Sequence, residues 1–85
     1  MNKTHELKTW PVFFQAILDR TKLFEVRFDD RNFSIGDHLL LKEWKPDRLM
    51  PQYTGREIEV EITFVYREHM EDGYCVLGIR PPFVV

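Results

Sequence analysis

The segment Lys22–Arg27 carries the charges that could do chemistry in this chain. Glu25 and Arg27 are two residues apart, so on a strand they share a face, and Lys22 precedes them in the turn that leads into it. A carboxylate can accept hydrogen bonds from base N–H groups, and cations can bind phosphate. The pattern therefore predicts a ligand cleft on these three residues. The alternative is a structural ion pair at the start of the strand, which adds little stability if it is exposed.

Further cations and aromatic residues could complete this cleft. Lys8, in the first predicted strand, could meet Glu25, and Arg31 either binds phosphate or pairs with Asp30. Exposed rings beside cations stack on the bases of single-stranded nucleic acid. The candidates for stacking, each with core or rim packing as the alternative, are Trp10, Trp44 and Tyr53. The predicted ligand-binding residues are Lys8, Lys22, Glu25, Arg27, Arg31, Trp44 and Tyr53.

Other kinds of site have weaker support in the sequence. His5, His38 and His69 fall on separate predicted elements, without the close spacing typical of a zinc site. Cys75 lies within the last predicted strand, where a buried, unreactive thiol is usual, and a single cysteine excludes an internal disulfide. We therefore predict no catalytic residue, no metal ion and no cofactor. An acidic stripe that would repel a nucleic-acid backbone is formed by Glu57, Glu59 and Glu61.

Apolar periodicity divides the chain into a strand, a helix and four further strands. Thr9 is predicted to cap a helix that has Pro11 in its first turn and ends at about Arg20. A loop is predicted over Pro46–Gly55, and Pro81 ends the last strand. The predicted strands are 4–9, 23–28, 38–45, 58–66 and 74–80.

The same periodicity predicts which side chains form the core. They are Phe13, Phe14, Ile17 and Leu18 on the helix, Phe24, Val26 and Phe28 on the second strand, and Ile58, Val60, Ile62, Phe64 and Tyr66 on the fourth. Short alternating strands favour closure into a barrel capped by the helix over an open sheet with exposed edges. The predicted fold class is α+β, mainly β: a small β-barrel of about five strands with one helix after the first strand.

Length and composition indicate one ordered domain over residues 1–85. Hydrophobic residues make up 44% and aromatic residues 14% of the chain. The net charge of -2 argues against a strongly basic, non-specific nucleic-acid binder but allows a local basic cleft. The N-terminus has no apolar signal segment, and no run approaches the roughly 18 apolar residues of a membrane-spanning helix. We expect a soluble, cytoplasmic protein without membrane association.

The segment Arg20–Arg27 resembles the signature of ASCH (activating signal cointegrator homology) domains of the PUA-like superfamily, in which Gly-x-Lys-x-x-Glu-x-Arg follows the first helix. Lys22, Glu25 and Arg27 match this signature, and Arg20 stands where the family has Gly. Because that Gly serves a left-handed helix cap, Arg20 either adopts the same conformation under strain or the helix ends differently. Other segments resemble those of a small bacterial and phage branch of ASCH-like proteins whose function is unknown. These segments are His5–Lys8, Asp30–Phe33, Ile35–Asp37, Glu43 and Tyr53–Arg56.

The resemblance implies an RNA- or nucleotide-binding module with its ligand between the helix and the barrel. One alternative is an amidohydrolase acting on an acylated cytidine, as in some small ASCH proteins that carry a Thr at the position of Glu25. Here the Thr nucleophile is missing, so Glu25 would have to activate a water as general base. The other alternative is a protein-interaction or coregulator-like domain that uses Pro46–Gly55 and the tail Phe83–Val85. The oligomeric state is left open.

Overall fold

The computed structural model describes residues 2–81, which form five strands and one helix. In chain order these are β1 (Thr4–Thr9), α1 (Pro11–Leu18), β2 (Phe24–Phe28), β3 (His38–Lys45), β4 (Gln52–Tyr66) and β5 (Tyr74–Arg80). The tail Phe83–Val85, predicted as a protein contact, lies outside the described residues. The order of the elements is the one that the sequence predicts.

All five strands belong to one curled sheet with the order β1-β3-β4-β5-β2. β1 and β3 are parallel, because the chain crosses over through α1 and β2 between them, and the other neighbouring pairs are antiparallel. The sheet curves into a half-barrel whose edge strands are β1 and β2. The predicted class, a mainly β fold with one helix after the first strand, is confirmed.

Three strands, β1, β3 and β5, have the predicted bounds, and β2 begins at Phe24 rather than Leu23. Burial alternates without a break in those three strands, so their periodicity was readable from the sequence. β4 differs most, since Trp44 pairs with Tyr53 and Lys45 with Gln52. Tyr53 therefore lies in a strand and not in the loop predicted over Pro46–Gly55.

The helix α1 is shorter than predicted at both ends. Trp10 holds the N-cap position in extended conformation without a side-chain capping bond, and Thr9 is buried in β1. The predicted cap at Thr9 is therefore wrong. Pro11 opens the helix as predicted, at a position where its missing N–H costs nothing. The last helical residue is Leu18, so Arg20 lies beyond the helix.

The apolar stripe of α1 is only half buried. Phe14 and Ile17 pack inside, whereas Phe13 and Leu18 are largely exposed, so the prediction that all four enter the core is wrong for these two. The helix packs against the sheet along one side, and a single side of eight residues buries two large side chains. Phe13 is thereby left facing outward near the start of the helix.

A polar network ties α1 to the sheet. Glu43 is buried on β3 and accepts hydrogen bonds from Thr54 Oγ1 at 2.7 Å and Arg56 Nε at 3.0 Å. The hydrogen bond from Thr54 lowers the pKa of Glu43, burial raises it, and the Arg56 guanidinium lowers it further. The pKa of Glu43 therefore lies below its usual range. Arg56 also lies 4.8 Å from the Phe14 ring centroid and donates to Gln15 Oε1 at 3.2 Å. Through Arg56 the sheet fixes the orientation of the helix.

The edge strand β2 faces the opposite way from the prediction. Phe24, Val26 and Phe28 are 46%, 50% and 54% exposed, whereas Glu25 is 3% exposed. Glu25 lies opposite Leu77, a residue of the hydrophobic core, so the charged face of β2 points inward. The expectation that the aromatic face enters the core is wrong.

A β-bulge at Thr63 changes the alternation of β4. The pairing with β5 shifts between Ile62 and Phe64, and side chains beyond a bulge exchange faces. Ile62 is buried and Val65 packs against the core, while Phe64 and Tyr66 are exposed. The prediction that Phe64 and Tyr66 continue the inward series is therefore wrong.

The buried pair His5–Asp37 fixes β1 to the turn before β3. His5 Nε2 lies 2.9 Å from Asp37 Oδ2, and the backbone N–H groups of Lys3 and Ser34 donate to the same carboxylate at 3.0 and 3.1 Å. Burial by itself raises the pKa of Asp37, but these hydrogen bonds outweigh it and hold the pKa below its usual range. The pair sets the position of β1, which carries Lys8.

Candidate ligand-binding cleft

Glu25 is held between two cations. Lys22 Nζ lies 2.7 Å from Glu25 Oε1, and Arg27 Nε lies 2.9 Å from Oε2. Lys22 also donates to the carbonyl of Phe24 at 2.7 Å. A buried carboxylate without such partners would carry a large desolvation cost, so this triad stabilises the inward face of β2. Because each carboxylate oxygen has two lone pairs, Glu25 keeps acceptor capacity for a ligand.

The turn that delivers Lys22 is a left-handed helix end. Arg20 has a φ of 63°, and its N–H donates to the carbonyl of Ile17 at 3.0 Å. The N–H of Thr21 donates to the carbonyl of Ala16 at 3.0 Å, which completes the bond pair of a Schellman motif. Arg20 thus adopts the strained conformation that is one of the two alternatives for this position. Its side chain is exposed and lines neither of the two pockets described below.

Two arginines span the gap between the edge strands β1 and β2. Arg27 Nη2 donates to the carbonyl of Lys8 at 2.7 Å, and Arg31 Nη1 donates to the carbonyl of Glu6. Glu6 and Lys8 are two residues apart, so both carbonyls lie on the free edge of β1, where backbone acceptors need donors. The predicted contact of Arg31 with Asp30 is present but long, at 3.8 Å. The guanidinium groups are anchored above this edge.

A cavity of about 440 Å³, here called the apolar pocket, opens beside the triad. Its walls include Trp10, Phe13, Phe24, Lys22, Glu25 and Arg27. The rings of Trp10 and Phe13 are 18° from parallel with centroids 6.4 Å apart, and Lys22 Nζ lies 4.9 Å from the Phe24 ring centroid. Mostly apolar walls with a few convergent polar groups, in a volume of roughly 300 to 1,000 Å³, are typical of small-molecule sites.

A second cavity of about 370 Å³, here called the cationic pocket, adjoins the first and shares Lys8 and Arg27 with it. The other residues that matter in its wall are Glu6, Arg31, Lys42 and Tyr53. Lys42 Nζ lies 3.2 Å from Glu6 Oε1, and this hydrogen bond raises the pKa of Lys42. Trp44 contacts this pocket through Lys8, whose Nζ lies 4.7 Å from the Trp44 ring centroid.

The structure brings the predicted site residues together around these two pockets. All of them line a pocket except Trp44, which contacts Lys8 instead. Phe13 and Phe24 were not predicted as site residues, because the apolar periodicity assigned both rings to the core. Lys42, which lies directly opposite Lys8 in the β1–β3 register, was not predicted either. The alternation of β3, which puts Lys42 on the face of Trp44, was the signal available for finding it.

The predicted acidic stripe on β4 is largely paired. Its partners are Lys42 at 3.8 Å from Glu57, His38 at 2.6 Å from Glu59, and Arg80 with Glu61. The cations Lys42 and Arg80 reduce the repulsion that Glu57 and Glu61 would exert on a nucleic-acid backbone.

Other reactive groups are engaged or buried. Cys75 is fully buried as predicted, and burial raises the pKa of its thiol. Thr21 Oγ1 donates to the carbonyl of Ala16 at 3.2 Å, at the end of the helix. Residues 2–81 contain no cluster of three or more His, Cys, Asp or Glu side chains that could hold a metal ion. No helix in this part of the chain is long and apolar enough to cross a membrane.

Comparison with known proteins adds a family and a phage relative. Residues 4–79 match the family described as "Domain of unknown function (DUF3850)". The chain is also similar to an uncharacterized 12.9 kDa protein in the GpA 3′ region of Escherichia phage P2, with 40% identity over 65 residues. The match covers 76% of this chain and 56% of the phage protein, so the chain spans little more than half the length of that relative.

Proposed function

The chain belongs to the DUF3850 family, and from its cleft we propose that it is an RNA- or nucleotide-binding module that takes a nucleobase in the apolar pocket. The observation that carries the proposal is the combination of Trp10, Phe13 and Phe24 with the carboxylate of Glu25 in one cavity. Aromatic faces stack on bases, and a carboxylate accepts hydrogen bonds from base N–H groups. The pocket therefore offers both contacts that a base requires.

The polar groups of the pocket suit a base edge that presents an N–H donor beside a carbonyl. Glu25 supplies the acceptors, and Lys22 supplies a cation whose ammonium carries three N–H donors. Phe24 O and Glu25 take two of those donors among the described residues. Guanine and uracil carry an N–H next to a carbonyl that the third donor could meet. In cytosine a ring nitrogen acceptor separates the amino group from the carbonyl, and adenine has no carbonyl. We expect adenine to bind most weakly.

The finer assignment to the ASCH domains of the PUA-like superfamily is part of the same proposal. It is supported by the spacing of Lys22, Glu25 and Arg27 directly after the first helix. It is supported as well by the order of the elements, a strand and a helix followed by four strands that curl into a half-barrel.

The proposal is tested by NMR titration of the protein with the four ribonucleosides and with a short single-stranded RNA. Binding in the apolar pocket shifts the indole N–H signal of Trp10, which lines it, and the signal of Trp44, which lines neither pocket, serves as the internal comparison. Trp10→Ala and Glu25→Gln should each weaken binding at least about tenfold, since each removes a contact to the base. Glu68→Gln, which changes an exposed carboxylate in the turn after β4, is the matched control and should bind normally.

Trp10 is half exposed, so Trp10→Ala keeps the test valid even if Glu25→Gln unfolds the protein. An unchanged Trp10 signal with every nucleoside and with the RNA would refute the proposal.

The hydrolase alternative is tested on the same protein with N4-acylated cytidines. Glu25 stands where some small ASCH proteins carry their Thr nucleophile, and the hydroxyl of Thr21 is bonded to the helix end. We therefore expect no release of the carboxylic acid over time. If the carboxylic acid is released and the Glu25→Gln variant does not release it, the protein is an enzyme and the proposal of a binding module is wrong.

A further inference from the structure

We propose that the cationic pocket is an anion site that takes the phosphate of a nucleotide whose base occupies the apolar pocket. The inference rests on the proposed function and narrows its ligand to a phosphorylated nucleotide, free or within an RNA strand.

The cationic pocket concentrates positive charge in a protein whose net charge is -2. Its wall holds one carboxylate, Glu6, against four cations: Lys8, Arg27, Arg31 and Lys42. A pocket lined by one sign of charge focuses the electrostatic potential and attracts counter-ions. The cations come from β1, β2, β3 and the loop after β2, so the fold and not a run of sequence assembles them.

Lys8 and Lys42 are direct neighbours across the β1–β3 pair, an arrangement of like charges that costs stability. Lys42 is compensated by Glu6 at 3.2 Å and Glu57 at 3.8 Å. Lys8 lies over the Trp44 ring at 4.7 Å, and within residues 2–81 it makes no ion pair with a carboxylate. An anion bound between the two lysines would relieve their repulsion, so the pocket favours an anionic occupant.

The two arginines are held in place before any ligand arrives. Arg27 is fixed by Glu25 and by the carbonyl of Lys8, and Arg31 by the carbonyl of Glu6. A guanidinium has five N–H donors in a planar fork that suits phosphate oxygens, and these bonds leave donors unused. Side chains that are already ordered lose less entropy on binding.

Contact between the two pockets identifies the anion as part of the same ligand. Lys8 and Arg27 line both cavities, so a base stacked on Trp10 has its sugar and phosphate directed toward these two cations. A nucleoside alone would fill the apolar pocket and leave the cationic pocket unused. A nucleoside monophosphate has the planar apolar part and the anionic part that the two cavities together accept.

The test compares each ribonucleoside with its 5′-monophosphate by calorimetry at low and high salt. We expect the monophosphate to bind at least about tenfold more tightly at low salt, because one charge-assisted phosphate contact is worth about that factor. The advantage should shrink as salt is added. A short RNA tested in parallel shows whether the phosphate is recognised in a free nucleotide or in a strand.

Three variants assign the effect to the cationic pocket. Lys42→Gln and Arg31→Gln should lower the affinity for the monophosphate to that for the nucleoside, without changing the nucleoside affinity. Glu6→Gln removes the carboxylate of the pocket and should strengthen monophosphate binding, a change in the opposite direction that does not depend on a weakened fold. Arg48→Gln, at an exposed cation in the loop before β4, is the control and should bind like the natural chain.

Inorganic pyrophosphate separates the failure of this inference from the failure of the proposed function. Suppose that pyrophosphate perturbs the NMR signals of Lys42 and Arg31, while none of the nucleosides perturbs the signal of Trp10. This result would support the anion site and refute the base site. Equal affinities for nucleoside and monophosphate would refute the anion site and leave the base site standing. No response to nucleoside, monophosphate or pyrophosphate would refute both.

Discussion

Arg20 occupies a backbone conformation that an L-residue adopts at a cost, and its position explains why. The helix α1 must end in a Schellman motif so that the chain turns toward β2 and places Lys22 beside Glu25. A glycine would take the φ of 63° without strain. The exposed arginine side chain lines neither pocket, so the geometry assigns it no direct contact with a ligand there.

A comparison of Arg20→Gly with Arg20→Ala isolates this backbone cost. Both variants remove the arginine side chain, but only alanine keeps a Cβ in the left-handed region. We expect the glycine variant to be more stable than the alanine variant by about 1 kcal/mol, after the greater flexibility of glycine in the unfolded chain is counted. Urea denaturation measures the difference. Equal stability of the two would mean that the helix end has rearranged.

Asp37 makes the folding stability depend on pH in the acid range. Its hydrogen bonds depress its pKa in the folded state, so the unfolded chain binds a proton more readily. The stabilisation is complete above about pH 4, the usual pKa of an aspartate, and is lost as pH falls through the lower folded value. Asp37→Asn should reduce the loss of stability between pH 7 and pH 3 in urea denaturation. Asp72→Asn, in an exposed turn, should leave it unchanged.

At the level of the elements, β2 and the second half of β4 point outward the apolar side chains that the alternation in the sequence assigns to the core. β2 turns its charged face inward because Lys22 and Arg27 neutralise Glu25 there. β4 reverses after Thr63, where the extra residue of the bulge lies against Gly78. A Cβ at Gly78 would meet Thr63 Oγ1 at 3.1 Å, so a residue without a side chain lets the bulge pack closely. Together these reversals leave Phe24, Val26 and Phe64 about half exposed, and Phe24 and Val26 line the apolar pocket.

Two truncations on β4 check this reversal. Ile62→Ala should destabilise the fold by about 2–5 kcal/mol, because Ile62 is fully buried. Phe64→Ala removes a larger side chain but should cost only about 1 kcal/mol or less, since Phe64 is 57% exposed. Chemical denaturation of the two variants gives both values. A larger loss from Phe64 than from Ile62 would contradict the bulge.

For the whole molecule, the half-barrel leaves two strand edges, and side chains cover the edge of β1. Arg27 and Arg31 donate to the edge of β1, which satisfies carbonyls that a closed ladder would otherwise bond. The same arginines contribute to the cationic pocket, so covering the edge and collecting positive charge depend on the same residues. The chain as a whole has a net charge of -2, and its glutamate stripe on β4 is partly paired, Glu59 with His38 and Glu61 with Arg80.

This charge distribution limits how steeply the proposed RNA binding should depend on salt. With four cations in the cationic pocket, the slope of log affinity against log salt should be negative but no steeper than about -3, at roughly 0.7 per phosphate of a single strand. Fluorescence titrations with a short single-stranded RNA at several salt concentrations measure it. A slope near zero would mean that no phosphate is bound, and a much steeper one that the RNA contacts a wider surface.

Much of the architecture follows from local patterns that the sequence displays directly. The strands β1, β3 and β5 alternate without interruption, Pro11 marks the start of the helix, and the spacing of Lys22, Glu25 and Arg27 brings these three charges together. These features depend on neighbours within a few residues, so periodicity and charge spacing were enough to predict them.

Only the tertiary structure decided three features: which face of β2 points inward, the β-bulge in β4, and the pairing of Lys8 opposite Lys42. A period of two in the sequence distinguishes the two faces of a strand but does not indicate which face meets the core. Burial of the Glu25 carboxylate is tolerated only when Lys22 and Arg27 are placed to compensate its charge. Lys8 and Lys42 are far apart along the chain and become neighbours through the parallel pairing of β1 with β3. The sequence by itself determined which residue types could bind a ligand, and long-range pairing decided which of them share a pocket.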